Sequence, residues 1–320
     1  MILRLAPACA VETVRCCNCG SNAATRVAEG ADFEYGTTRD AFHVVRCDEC
    51  GLHYLNPRPR LEELPTIYPP HYYAYRYDAA IHPIARKVKD RLDARKIDQW
   101  LSFCATRTPR FLDVGCGDGR YLKMLHDRGV AQKNLWGVEL DDRVVAELRS
   151  AGYQARTGPI EHVEDLPASS FDLIVMLQVI EHVSNPAACI ERLATLLAPG
   201  GVLILETPNI RSLDQRLFRK RYWGGYHFPR HWNLFDAGTL ADLVRRRGLD
   251  PVSVRYLASP SFWIQSIHHA VLDKWRMPRL ARWFEAGRNV PALTFFTAWD
   301  MLRAALGGRT SNMQLVACRS

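Results

Sequence analysis

The sequence predicts an α/β fold in which strands alternate with helices, preceded by a small cysteine-rich module. Three observations carry this. Phe111, Leu112 and Val114 form an apolar run that breaks into Gly115-Cys116-Gly117-Asp118-Gly119 and passes into helical spacing from Tyr121. Further strand-like runs stand at 135–139, 171–177 and 202–207, with helix-length segments at 142–150 and 187–197 between them. Two Cys-x-x-Cys-Gly units lie within the first 55 residues.

At 320 residues the chain is long enough for one full α/β domain and a smaller module. A hydrophobic content of 48% supports a globular core and argues against disorder. The net charge of +8 fits a nucleic acid, an anionic membrane, an acidic substrate or simply a solvated basic surface. No apolar run approaches the ~18 residues of a membrane span. The stretch Met1-Ile2-Leu3-Arg4-Leu5-Ala6-Pro7 is too short and interrupted for a signal peptide. A cytoplasmic location with reduced thiols is therefore expected.

The first unit is Cys16-Cys17-Asn18-Cys19-Gly20 and the second Cys47-Asp48-Glu49-Cys50-Gly51. Each spacing suits a knuckle whose backbone N–H groups point at thiolate sulfur, and two knuckles make a tetrahedral set that suits zinc. The reading is a zinc-ribbon-like module over residues 1–55, with Cys16, Cys19, Cys47 and Cys50 as ligands and disulfides as the alternative. Four thiolates leave no open position, so the metal is structural, stabilising a segment too short to fold on its own core.

Residues 56–108 read as a connector and helical cap. Asn56-Pro57-Arg58-Pro59-Arg60 is extended, and a cluster of Tyr68, Tyr72, Tyr73, Tyr75 and Tyr77 either packs the modules together or walls a pocket. Helical spacing then runs from Ile81 through Val88, Leu92, Ile97 and Trp100. In the glycine loop, residues without a Cβ let a cofactor lie against the main chain. Arg120 occupies the place where a dinucleotide fingerprint needs its last glycine, and no Lys-Ser/Thr pair follows as in a P-loop. Glu139 ends the next apolar run, placed to accept hydrogen bonds from ribose hydroxyls.

At these residues the sequence resembles the class I S-adenosylmethionine-dependent methyltransferases. The likeness continues through Phe171-Asp172-Leu173-Ile174-Val175, Val179-Ile180-Glu181-His182, Leu197-Ala198-Pro199-Gly200-Gly201 and Val202-Leu203-Ile204-Leu205-Glu206-Thr207. It implies a Rossmann-like, mostly parallel sheet over residues 109–320, with the last strand, near 313–318, antiparallel at the sheet edge. It also implies S-adenosylmethionine as methyl donor, resting on Asp113, Gly115, Gly117, Gly119 and Glu139, with Glu161 and Gln178 as further cofactor contacts.

Methyl acceptors sit at the end of the fourth strand, where this chain reads Gln178-Val179-Ile180-Glu181-His182. The Asp/Asn-Pro-Pro-aromatic block of base and amide N-methyltransferases is missing. Related ubiquinone-pathway enzymes carry Glu-x-x-Glu-His here as a metal set. Gln178 breaks that pattern, which argues against magnesium. His182 is the candidate general base, with Glu181 beside it, because imidazole titrates near neutrality. The segment 221–235, with His227, Arg230 and His231, supplies alternatives, and His231 is the third catalytic candidate.

The expected function is methyl transfer to oxygen or carbon of a small molecule, such as a sugar nucleotide or secondary-metabolite intermediate. Alternatives are a zinc-ribbon ribosomal-RNA methyltransferase and an inactive, methyltransferase-like interaction module. A nucleic-acid partner is disfavoured, because the ribbon has no basic stripe interleaved with aromatics. A helical insertion near 261–308, with aromatics and Lys274, Arg276, Arg279, Arg282 and Arg288, covers the pocket, forms a dimer face or touches a membrane. No pattern sets the oligomeric state.

Overall fold

The structure is a computed structural model that describes residues 6–69, 83–285 and 289–319, with 83–89 as backbone. Tyr72, Tyr73, Tyr75, Tyr77, Ile81 and Arg288 lie outside the described residues.

The N-terminal segment contributes β1 (Val11–Glu12), β2 (Ala24–Gly30), β3 (Phe42–Cys47), β4 (His53–Leu55) and β5 (Arg58–Pro59). Two helices follow, α1 (Leu64–Ile67) and α2 (Pro83–Leu101). The central sheet is then laid down as β6 (Phe111–Val114), α3 (Arg120–His126), β7 (Leu135–Glu139), α4 (Asp142–Ser150), β8 (Gln154–Thr157), β9 (Phe171–Leu177), α5 (Pro186–Leu196) and β10 (Leu197–Pro208). The chain continues through α6 (Leu213–Phe218), β11 (Asn233–Leu234), α7 (Ala237–Arg245) and β12 (Asp250–Leu257). It closes with α8 (Pro260–His269), α9 (Pro278–Ala281), α10 (Val290–Ala305) and β13 (Asn312–Cys318).

Seven strands form the main sheet in the order β12-β13-β10-β9-β6-β7-β8. Pairing is parallel from β10 to β8. β13 is antiparallel to both β10 and β12, so it lies one place in from the edge rather than at it. Alternation along the strands feeds two apolar layers. Phe111, Leu135, Leu173, Val175 and Ile204 pack with Ile97, Trp100, Leu122 and Leu148 on one face. Leu112, Val138, Ile174, Met176 and Leu203 pack with Ile190, Leu193, Leu240 and Leu243 on the other. Both faces are covered, as a parallel sheet requires.

Local signals set the helix starts. Asp141 accepts from the Arg143 amide ahead of α4, and Asn185 caps α5 with Pro186 at its first position. Asp236 and Thr239 exchange hydrogen bonds in a capping box, so α7 begins at Ala237 and Phe235 sits in the core before it.

The small sheet is not confined to the N-terminal segment. Its order is β11-β4-β3-β2, and β11 comes from the segment after Trp232. Cys16, Val45, Cys47, Leu52 and Tyr54 belong to the same apolar layer as Leu112, Phe235 and Leu240. Asn18 donates to Asp242 of α7 at 2.9 Å.

The deepest tie is electrostatic. Arg230 donates to both Asp32 carboxylate oxygens, at 3.2 and 2.8 Å, and neither side chain is exposed. Arg230 also donates to the Ile67 carbonyl at 2.6 Å and lies 4.5 Å from the centroid of the Tyr35 ring. Burial opposes charge on Asp32, but Arg230, the Thr37 hydroxyl and the Tyr35 amide hold its carboxyl down to about 2. Its contribution is therefore present at neutral pH and is lost only as pH falls from about 4 towards 2. Removing one partner strands a buried charge. Asp32→Ala is expected to cost about 3–5 kcal/mol in urea unfolding at pH 7. A loss under about 1 kcal/mol would mean that the pair is not buried as described.

Candidate functional site

The glycine loop leaves β6 with Gly115, Gly117 and Gly119 all in the left-handed region. A Cβ on Gly115 would meet the Val179 side chain at 2.4 Å, so only glycine lets the loop close on the β9 end. Gly117 differs: nothing lies within 4 Å of its Cβ position, and its bare backbone faces open space. The Gly117 amide donates to Glu139 Oε2 at 2.9 Å, and the Leu140 amide donates to Oε1 at 2.7 Å. The loop and the end of β7 are thus locked together.

Asp113, beneath the loop, is buried. Burial first, then the Glu139 and Asp118 carboxylates, raise its pKa to about 8. A carboxyl desolvated among like charges suits a cationic ligand, and S-adenosylmethionine carries sulfonium and ammonium. An open backbone cradle, a hydrogen-bonding carboxylate at the second strand and a charge-hungry Asp113 together fit that cofactor. The helix α2 braces the site from outside: Arg120 is paired with Asp90 and Asp93 at 2.6 and 2.8 Å, and Lys96 with Glu206 at 2.9 Å.

Two further candidate cofactor residues have surroundings of their own. Gln178 has φ +56°, and its amide donates to Asn312 Oδ1 of β13 at 2.9 Å. Its side chain is thereby tied to the sheet. Glu161 lies in the one-turn helix Ile160–His162, where its charge raises the buried Cys189 thiol of α5 after burial itself has done so.

At the end of β9 the chain builds a buried polar cluster. Glu181 Oε2 accepts from the Thr207 hydroxyl at 2.9 Å, whereas Oε1 is buried without a partner. Burial pushes its pKa up to about 8, so Glu181 is largely protonated at neutral pH. The His182 and His231 ring centroids lie 4.6 Å apart, and His227 lies 4.9 Å from His231. Burial, then His227, pushes His182 down to about 3, and burial with the two other histidines holds His231 well below its usual value. Both are therefore neutral at pH 7. His182 Nδ1 is 2.8 Å from the Tyr68 hydroxyl and 3.1 Å from the Arg230 carbonyl, and His231 Nδ1 is 2.8 Å from the Gly225 carbonyl. The predicted trio Glu181, His182 and His231 thus does converge, with ligating atoms within 4.8 Å of one another. One carboxyl and two imidazoles do not fit magnesium, which takes oxygen donors.

Sequence reading missed the second half of this cluster. The β2–β3 hairpin reaches over the site and places Glu34 Oε1 2.8 Å from His227 Nδ1 and 3.9 Å from His269 Nε2. Glu34 is held charged, below the usual carboxylate range, because His227, His269 and Arg230 outweigh its burial. His227 itself stands at φ +39°, an uncommon backbone for a residue with a Cβ. An acidic pair, Asp32 and Glu34, inside a metal-module hairpin was the available signal.

The cysteine set is also assembled. Cys16 Sγ lies 3.4 Å from Cys50 Sγ and Cys19 Sγ 3.5 Å from Cys47 Sγ, all four within 4.8 Å of one another. A tetrahedron with Zn–S of about 2.3 Å needs sulfurs about 3.8 Å apart, whereas a disulfide needs about 2.05 Å. The Gly20 and Gly51 amides return to the Cys16 and Cys47 carbonyls at 2.8 and 3.0 Å, closing both knuckles. The residues fit zinc.

Two outcomes follow. Asp113 is raised in the folded state, so the stability of the cofactor-free protein falls as pH climbs from about 4 through 8. Asp113→Asn is expected to melt higher than the parent by a margin that grows over that range, while binding S-adenosylmethionine at least tenfold more weakly. A margin independent of pH would refute the desolvated carboxyl. Metal analysis of the purified protein is expected to give about one zinc per chain, and Cys47→Ser to lose it together with several degrees of melting temperature. Zinc and melting temperature both retained would remove the site.

The family model described as methyltransferase domain matches residues 71–254. The ubiquinone biosynthesis O-methyltransferase of Cereibacter sphaeroides is 26% identical over 244 residues, 72% of this chain and 92% of the relative. The tRNA U34 carboxymethyltransferase of Idiomarina loihiensis is 29% identical over 155 residues, 45% of this chain. This chain spans only 46% of that relative's length. Among solved structures, a candidate sarcosine dimethylglycine methyltransferase from Galdieria sulphuraria superposes with a TM-score of 0.51 at 14% identity, covering 73% of this chain and 88% of that one. That likeness is one of fold. With the glycine cradle and the sheet order in place, the chain belongs to the methyltransferase-domain family, in its class I, S-adenosylmethionine-dependent form.

Proposed function

We propose that this protein transfers a methyl group from S-adenosylmethionine to an oxygen or carbon of a small molecule, a sugar nucleotide or secondary-metabolite intermediate being the acceptor class. The observation that carries the reading is the largely buried Glu34–His227 pair set among His182, His231 and Tyr68 at the carboxyl end of β9. A hydroxyl or acidic carbon must lose a proton as it is methylated, and this pair can take it.

When bound, the cofactor supplies an electrophilic methyl carbon on a sulfonium. Asp113 and Glu139 hold it, and the Gly117 backbone makes room for it. His227 takes the acceptor's proton, because Glu34 offsets the charge of the resulting imidazolium. His182, whose pKa is pushed down to about 3, serves better as a neutral hydrogen-bonding wall than as a proton store. Protonated Glu181 anchors the β9 end through Thr207, and its main-chain carbonyl accepts from the Trp232 and Asn233 amides at 2.8 and 3.0 Å. The hairpin and the 221–232 segment exclude water, so that alignment supplies most of the acceleration. Cys16, Cys19, Cys47 and Cys50 hold a structural zinc that keeps the hairpin in register. The reading places the enzyme in the cytoplasm, where those thiols stay reduced.

An RNA acceptor is the second reading, favoured by the tRNA-modifying relative and the charge of +8. The absence of a basic stripe interleaved with aromatics in the N-terminal module opposes it.

The first test is calorimetry with S-adenosylmethionine, in which Glu139→Ala is the binding control. With a turned-over acceptor in hand, Glu34→Gln is expected to lower kcat on the order of a hundredfold. It should also leave cofactor affinity unchanged. A larger loss from His182→Asn than from His227→Asn would return the base to His182.

A further inference from the structure

The helical insertion carries an apolar face that no described residue covers. Helix α10 has two apolar sides. One is occupied: Phe296 stacks on Trp263 of α8 with centroids 5.2 Å apart, and Asp300 accepts from the Trp263 indole and the Ser259 amide. On the other side Phe295, Trp299, Leu302 and Leu306 follow i, i+4, i+7, i+11 spacing and are 63%, 38%, 55% and 78% exposed. Single exposed apolar residues are ordinary, but an uninterrupted stripe of this kind marks a docking face.

The chain between α8 and α10 adds the matching charge. Trp275 and Trp283 are 55% and 71% exposed, and Lys274, Arg276, Arg279 and Arg282 around them are exposed too. The insertion's acids do not balance them. Asp273 is taken by Arg221 and the Tyr222 hydroxyl at 3.1 and 3.0 Å, Asp300 is buried, and Glu285 is half-buried. Tryptophan beside arginine and lysine, in the same insertion as an apolar stripe, is the composition that settles at a lipid headgroup layer.

We propose that this face docks the protein on an anionic phospholipid surface. A second copy of the chain is a poorer occupant, because a two-fold contact would bring the same cations together. No described helix is long and apolar enough to cross a membrane, so the contact is peripheral. The docked element is bonded to the acceptor region: Ser266 accepts from the Gly224 amide at 2.8 Å, and His269 lies 3.9 Å from Glu34. The inference goes beyond the methyl-transfer reading and stands or falls separately from it.

The test is co-sedimentation of the full chain with vesicles of phosphatidylcholine alone and of equal parts phosphatidylcholine and phosphatidylglycerol. Binding is expected to the mixed vesicles, weakened by salt, and at least tenfold weaker to the neutral ones. Each cation near such a surface contributes roughly fivefold, so Arg276→Glu/Arg279→Glu should lose more than tenfold. Phe295→Ser/Leu302→Ser should lose as much, with S-adenosylmethionine binding retained in both variants as evidence of folding. No sedimentation of the parent with mixed vesicles would overturn the proposal. So would a dimer in solution that dissociates on Phe295→Ser/Leu302→Ser while vesicle binding persists.

Discussion

The contact between Arg230 and Asp32 is the constraint on which the site depends. A guanidinium with no exposed surface survives only if its partners are fixed, and here they come from three distant stretches of chain: the β2–β3 hairpin, the end of α1 and its own loop. Once the ion pair forms, the hairpin cannot slide over the 221–232 segment. Glu34, two residues from Asp32, is then delivered to His227. A pair that adds little net stability over an apolar substitute thus acts as a register pin.

Carboxyl groups around the site divide into two kinds by what surrounds them. Asp32 and Glu34 face cations and stay charged, whereas Asp113 and Glu181 face apolar walls or other carboxyls and are driven towards the neutral form. The same burial that neutralises Glu181 lets it serve as a structural acid. At Asp113 it leaves a carboxyl that a cationic cofactor would return to its charged form. Stability is held back at one position and invested in ligand binding, the usual arrangement where a fold carries a function.

Much of the central sheet was legible because its signals are local. The apolar runs, the glycine loop and the caps at Asp141, Asn185 and Asp236 each act within a few residues, and α4 falls where its spacing put it. The cysteine set was legible from spacing alone. What could not be read was pairing across the chain. Asn233–Leu234 is too short to declare itself a strand, and its partner β4 lies far upstream. Glu34 drew no reading from the sequence, since its partner His227 lies 193 residues away. Gln178 and Glu161 were placed by analogy; the Gln178 amide is bonded to Asn312, and Glu161 lies in the turn Ile160–His162.

The shared small sheet has a consequence for synthesis. Strand β4 ends at Leu55, but the strand that covers its free edge, Asn233–Leu234, emerges roughly 180 residues later. At translation rates of about 5–20 residues per second, that edge stands open for ~10–40 s. During that interval the nascent chain exposes an unpaired row of backbone donors and acceptors, the usual template for wrong association. Ligand thiols brought together early would keep the hairpin compact until its last strand arrives.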